Sequence, residues 1–358
     1  MRDRPAGIGD GEVGRALAEG WRIHAANARY TPVGGGSYHW VIRDGEGRRW
    51  FVTVDDLDDK PWLGNSRVTV LDGLRVAMDT ALALRQEAGL RFVAAPIPAL
   101  GGETVRPLDT RYAIAVFPFL DGTSGRFGED YPVGRRGELA GLLAALHQAT
   151  PTLTRPPVAR IGLPRREALN AALGGLDQPW LGGPYCEPAR ELLISTAGQV
   201  RGLLATFDQL AERVAARAAV ITHGEPHAAN FMRANVMRAG TGTMLIDWDT
   251  VGLAPPERDL WMIAGNTGEE LRHYTTATGR AIDPAALTFY RLRWALDDMS
   301  AFLARLRAAR QRTADAEHAW RALRETIAHA SAAANVAPGS ARQAAWPRCL
   351  SAHLDVTG

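Results

Sequence analysis

Hydrophobic positions change their spacing near residue 118, separating a β-rich first third from a helical remainder. A short helix is expected over Val13–Glu19. Tyr38-His39-Trp40-Val41-Ile42-Arg43 and Arg49-Trp50-Phe51-Val52-Thr53-Val54 are rich in β-branched and aromatic residues. The turn Asp44-Gly45-Glu46-Gly47 joins them, which predicts a hairpin. Val68–Ala88 places Leu71, Leu74, Val76, Ala77, Ala81 and Leu84 at helical spacing. Phe92–Ile97 and Tyr112–Phe117 read as two more strands, turning at Gly101-Gly102. Beyond Pro118 the apolar period is helical: Glu138–Ala149, one or two helices in Ala189–Ala219, and two in Pro284–Thr326. The Ala-rich last thirty residues, with Pro338, Gly339 and Pro347, read as a frayed end.

Two lobes around a cleft fit this order, and clefts between lobes favour ligands. The 358 residues suffice for two substantial cores. A net charge of +2 supplies no field for nucleic acid or an anionic membrane. No apolar run of about twenty residues is present, and the N-terminal stretch lacks the apolar core of a secretory signal. We therefore expect a cytoplasmic protein with neither nucleic acid nor membrane as partner. Cys186 and Cys349 lie far apart and suggest ordinary thiols. All but one of the 41 Lys and Arg residues are arginine, the exception being Lys60.

The chemistry concentrates in Thr222-His223-Gly224-Glu225-Pro226-His227-Ala228-Ala229-Asn230 and in Leu245-Ile246-Asp247-Trp248-Asp249. Each stretch follows or ends a short apolar run, a way to hold polar groups rigidly. Glu225 can orient an attacking hydroxyl. Asn230 and Asp247 offer hard oxygens to magnesium, which takes few protein ligands and leaves the rest to water and phosphate. This is the equipment of phosphoryl transfer.

The pattern His-Gly-acid-x-His-x-x-Asn, then Ile-Asp-Trp-Asp, resembles the aminoglycoside phosphotransferase and choline-kinase-like branch of the kinase fold, over about residues 30–265. The resemblance implies an α+β, two-lobed protein-kinase-like fold with a small β-rich N-lobe and a larger helical C-lobe. It implies a catalytic set of Glu225, Asn230 and Asp247, with Asn230 and Asp247 on Mg2+. His223, His227 and Asp249 become supporting residues, and Asp259 a buried structural acid. The activity implied is transfer of the γ-phosphate of ATP or GTP to a hydroxyl of a small molecule, an aminoglycoside-like antibiotic, amino alcohol or sugar. The chain then divides into an extension (1–19), a phosphate-binding N-lobe (20–117), a catalytic and acceptor-binding C-lobe (118–330) and a tail (331–358).

The sequence departs from the family pattern in three places. Glu225 stands where the family has Asp, one methylene longer. Thr53 occupies the slot of the strand's phosphate-binding lysine, and Lys60, a compact charge that can bind phosphate, is the only lysine available to replace it, the other reading being a surface lysine near four aspartates. Asp79 or Glu87 on the following helix is the acid available to steady that lysine. Gly34, Gly35, Gly36 and Ser37 form the candidate phosphate loop through their backbone N–H groups, and Phe117 and Phe119 mark the adenine-binding junction of the lobes. Tyr290, Trp294, Asp297 and Asp298 share a helical face suited to a cationic or sugar-like acceptor. The competing reading, motivated by Glu225 and Thr53, is a non-catalytic nucleotide- or ligand-binding pseudokinase.

Overall fold

The computed structural model of the protein describes residues 1–126, 129, 131, 135–236 and 240–334. Helix α1 (Asp10–Trp21) precedes strands β1 (Ala25–Thr31), β2 (Tyr38–Asp44) and β3 (Arg49–Asp56). Helix α2 (Arg67–Gln86) and strands β4 (Arg106–Pro107) and β5 (Tyr112–Pro118) follow. The strands form one antiparallel sheet in the order β1-β2-β3-β5-β4. The period of two along β3 decides what each face meets. Val52 and Val54 turn towards Val13 and Leu17 of α1, in a cluster with Trp40, Ile42, Ile114 and Val116. On the other face Ala113 and Ala115 meet Val70, Leu74 and Met78 of α2.

Ser66 starts α2 by accepting a hydrogen bond from the Thr69 N–H at 3.3 Å, while Thr69 Oγ1 accepts from the Ser66 N–H at 3.0 Å. Its apolar residues serve two cores. Ala77, Ala81 and Leu84 belong to the main cluster of the helical lobe, with Leu139, Leu143 and Leu245.

That lobe contains β6 (Gly122–Ser124), α3 (Arg135–Gln148), α4 (Arg166–Gly174), α5 (Cys186–Ala215), β7 (Val220–Thr222), β8 (Phe231–Val236), β9 (Gly240–Leu245) and β10 (Gly252–Ala254). Helices α6 (Glu257–Ile263), α7 (Glu269–Thr278), α8 (Pro284–Ala308) and α9 (Ala314–Ala334) complete it. Strands β6, β8 and β9 form a three-stranded sheet, and β7 pairs with β10. Asp283 caps α8 through the Ala285 N–H, with Pro284 in the first turn, where its missing donor costs nothing. Cys186 is a buried free thiol. Among the described residues no helix is long and apolar enough to cross a membrane.

One strand is added and one expectation changes. Ala25–Thr31 is a strand, although Asn27 and Arg29 interrupt its apolar pattern. Phe92–Ile97 is irregular, because Pro96 and Pro98 remove ladder donors. Its bonds go instead to the helical lobe: Ala94 N–H donates to Leu245 O at 3.0 Å and Leu245 N–H to Phe92 O at 2.7 Å. The last twenty-four residues, and with them Cys349, lie outside the described part.

Candidate active site

The loop after β7 is held by its backbone. Asp259, fully buried at the start of α6, accepts the N–H of His223 at 2.8 Å and of Gly224 at 2.7 Å. It also meets His147 Nε2 at 3.1 Å, and His147 Nδ1 lies 2.8 Å from the Tyr274 hydroxyl. Burial works against the Asp259 charge, yet His147, Arg258 and His223 more than offset it and lower its pKa. Gly224 has φ +100°, and a Cβ there would stand 2.4 Å from the Arg258 guanidinium. Arg258 itself donates to Thr222 Oγ1 and Thr250 O.

His223 is neutral, its pKa pushed down to about 4 by burial. Its Nδ1 accepts the Glu225 N–H at 3.2 Å, so Nε2 carries the proton and donates to Ile246 O at 2.9 Å. The imidazole thereby spaces the Glu225 loop from the Asp247 turn. Glu225 is half-buried, and no described residue donates a hydrogen bond to its carboxylate. Burial, with Asp249, Asp247 and Asp298 nearby, raises its pKa well above the ordinary glutamate value, against the pull of Arg258.

Asn230 Nδ2 donates to Glu225 O at 2.9 Å and lies 3.3 Å from His227 Nε2. This leaves Oδ1 as its uncommitted oxygen. Its own carbonyl accepts the Ile246 N–H at 3.0 Å, which sets Asn230 beside Asp247. Asp247 has φ +68°, a left-handed conformation that non-glycine residues adopt rarely and at a cost. Its side chain is open to water, though protein crowds around it. That crowding, with the Asp249 charge, pushes its pKa up to about 7. The oxygens of Asn230 and Asp247 fit magnesium in chemistry and number. No group of three His, Cys, Asp or Glu side chains among the described residues could hold a metal, so a site here rests on those two.

Lys60 is fully buried, not a surface lysine. Its Nζ lies 2.5 Å from Asp249 Oδ2, 3.0 Å from Asp55 Oδ1 and 3.2 Å from Ser37 Oγ. Burial alone would lower its pKa, but Asp249 and Asp55 raise it. The acids expected beside it lie elsewhere: Asp79 accepts from Thr104 Oγ1 at 2.6 Å, and Glu87 is exposed at the end of α2. Asp55, which sequence reasoning passed over, does that work. A run of four aspartates reads as solvated surface, and only the sheet shows that Asp55 and Asp56 are buried, with Asp55 turned towards Lys60. Thr53 faces the same side of β3, with Oγ1 3.3 Å from His39 Nδ1.

Gly34, Gly35 and Gly36 are exposed between β1 and β2; Gly34 has φ +67° and Ser37 is buried. Phe117 packs with the α2 cluster, and Phe119 lies beneath the Arg49 guanidinium at 4.1 Å, where the chain leaves β5 for β6. On α8, Tyr290 is core, its ring against Phe289 and its hydroxyl pushed up to about 12 by burial. Trp294 is half-buried, 6.2 Å from the His227 ring and 6.0 Å from Trp261. Asp298 is raised to about 8 by burial and by Asp297, and Asp297 is raised by burial.

The family model described as the phosphotransferase enzyme family (APH) matches residues 29–290, and the protein belongs to that family. Protein StrN of Streptomyces griseus is 28% identical over 259 residues, covering 67% of this chain and 73% of StrN. Spectinomycin phosphotransferase APH(9)-Ia, solved with ADP and spectinomycin, superposes with a TM-score of 0.67 at 17% identity. The match covers 90% of this chain and 98% of that one. A microcompartment-associated aminopropanol kinase gives 0.58 at 17% identity, covering 90% and 95%. Amicoumacin kinase hAmiN, with AMP-PNP, Ca2+ and Ami, gives 0.55 at 13%, covering 90% and 94%. These neighbours share the two-lobed protein-kinase-like fold.

Proposed function

We propose that the protein transfers the γ-phosphate of Mg-ATP or Mg-GTP to a hydroxyl of a small-molecule acceptor. The observation that carries this reading is the meeting of Lys60, from the N-terminal part of the chain, with the Asp247–Asp249 turn, Asn230 and Glu225, whose carboxylate accepts from no described residue. In this reading the exposed N–H groups of Gly34, Gly35 and Gly36, with Ser37, cover the phosphates, and Lys60 supplies their fixed cation. Phe117 and Phe119 flank the adenine at the junction of the two sheets.

Glu225 accepts the proton of the acceptor hydroxyl as the hydroxyl oxygen bonds to the γ-phosphorus and the bond from that phosphorus to the β–γ bridging oxygen breaks, releasing the nucleoside diphosphate. A carboxylate of raised pKa is better matched to that task than an ordinary one. Asn230 Oδ1 and Asp247 hold the magnesium ion, which when bound neutralises charge on the phosphate oxygens. His223 stays neutral and keeps the base and the metal acid at fixed spacing. Trp294, Asp297 and Asp298 then face the acceptor, with Tyr290 as packing behind them.

The test is release of ADP from Mg-ATP, or of GDP from Mg-GTP, with spectinomycin, aminopropanol, amicoumacin, aminoglycosides, other amino alcohols and sugars, beside Glu225→Ala. Release that needs both an acceptor and Glu225 supports the reading. Mg-nucleotide binding with no release from any pool would instead support the pseudokinase.

A further inference from the structure

Four buried polar groups, Ser37, Asp55, Lys60 and Asp249, form a chain that crosses from the β1–β2 turn to the turn at Asp247–Asp249, and the reaction just proposed gives Asp55 no part. Asp55 lies on β3 two residues beyond Thr53, on the same face, and is 2% exposed. Its Oδ1 accepts from Ser37 Oγ at 2.6 Å and pairs with Lys60 Nζ at 3.0 Å. Lys60 meets Asp249 at its other side.

We propose that Asp55, braced by Ser37, is the positioning residue that holds Lys60 for the nucleotide phosphates, and that Asp249 is the partner that yields to them. The proposal rests on the reading of Lys60 as a phosphate ligand.

The geometry decides between the two acids. In the kinase fold a helix-borne acid ordinarily steadies the lysine. Here the acids of α2 are occupied or exposed: Asp72 pairs with Arg75 and Asp79 with Thr104. Lys60 is reached from the strand instead. Asp55 cannot move aside readily, because β3 pairs with β5 at Asp55–Ala113 and its carboxylate is enclosed. Asp249 sits outside any strand, two residues beyond the strained Asp247. One ammonium faces Asp55 and Asp249 directly and Asp247 at longer range. An arriving polyphosphate therefore displaces a carboxylate, and the one on the turn is the one free to leave.

The experiment measures binding of metal-free ATP and of adenosine to the full chain and to Asp55→Asn, Lys60→Ala, the double variant and Asp249→Asn. Taking the ratio of the two affinities in each sample removes any change in folded fraction. Asp55→Asn should weaken ATP about tenfold or more and leave adenosine unchanged, because a tenfold change answers to about 1.4 kcal/mol, well within what a buried charge partner contributes. The double variant should be no worse than Lys60→Ala, and Asp249→Asn should bind ATP more tightly. If Asp55→Asn does not fold, Ser37→Ala carries the same comparison. An unchanged ratio in Asp55→Asn, or in Ser37→Ala in its place, beside a lowered one in Lys60→Ala overturns the role of Asp55. Weaker ATP binding in Asp249→Asn overturns the choice of the yielding acid. An unchanged ratio in Lys60→Ala overturns the reading of Lys60 itself.

Discussion

Replacing Asp259 by alanine should unfold the catalytic loop before it touches any chemistry. The side chain is fully buried and accepts two backbone N–H groups, from His223 and Gly224, besides facing His147. Each buried donor left without a partner costs about 1–3 kcal/mol. Removing one member of a buried charged network costs about 3–5 kcal/mol. The expected loss is therefore about 3–6 kcal/mol, a large part of the roughly 5–15 kcal/mol that keeps a protein folded. Urea unfolding followed by tryptophan fluorescence would read it. At a slope of about 3 kcal/mol per M the midpoint should fall by about 1 M or more. The folded fraction should also turn over at least about 100-fold more slowly, since misplacement by about 1 Å is enough for that. A stability loss below about 1 kcal/mol would refute the view that this carboxylate anchors the loop. Asp259→Asn, which keeps one acceptor oxygen, should fall between the two.

The Glu225 series tests the longer base. Glu225→Ala should lower kcat by about 10²–10⁴ with little change in nucleotide affinity. Glu225→Asp, shorter by about 1.5 Å, should lose about 10²-fold, whereas full activity in that variant would show that the added methylene is not used. Activity should rise with pH, because Glu225 and Asp247 must be ionised and both have raised pKa values, Asp247 to about 7. Stability without divalent metal should run the other way. Between its unfolded and folded pKa values a raised carboxyl binds more protons in the native state, so stability falls as pH climbs from about 4 towards 7. Magnesium should restore it, and thermal melts across pH with and without the ion would show either trend or neither. Gly224→Ala should cost about 1–3 kcal/mol from φ +100° alone, and more because the buried Arg258 cannot yield; an unchanged denaturation midpoint would count against this.

The proposed catalytic loop and metal turn stand out in the sequence because their residues are close in the chain and each has a type that phosphoryl transfer would use. The sequence also exposed Lys60, the one lysine among 41 basic residues. The supports were hidden for a common reason. Asp259 meets His147 across 112 residues, and Lys60 meets Asp249 across 189, with no local spacing to reveal either pairing. Asp55 looked like one of several surface acids until the strand register turned it inwards. Strand β1 was missed because its outward residues are polar. Phe92–Ile97 has the apolar content of a strand, but Pro96 keeps it out of a ladder.

Helix α2 belongs to two cores at once, one side against the small sheet and the other against Leu139, Leu143 and Leu245. Arg2 and Asp3 tie the start of the chain to Asp315 on α9, and Arg165 and Arg305 hold Asp59 of the segment beyond β3. Neither lobe can melt without stripping apolar surface from the other, so the two should share a single cooperative transition. A nucleotide bound in the cleft would then slow amide exchange in the distant α-helical core as well as in the sheet it touches, because it stabilises the one folded state from which both must open.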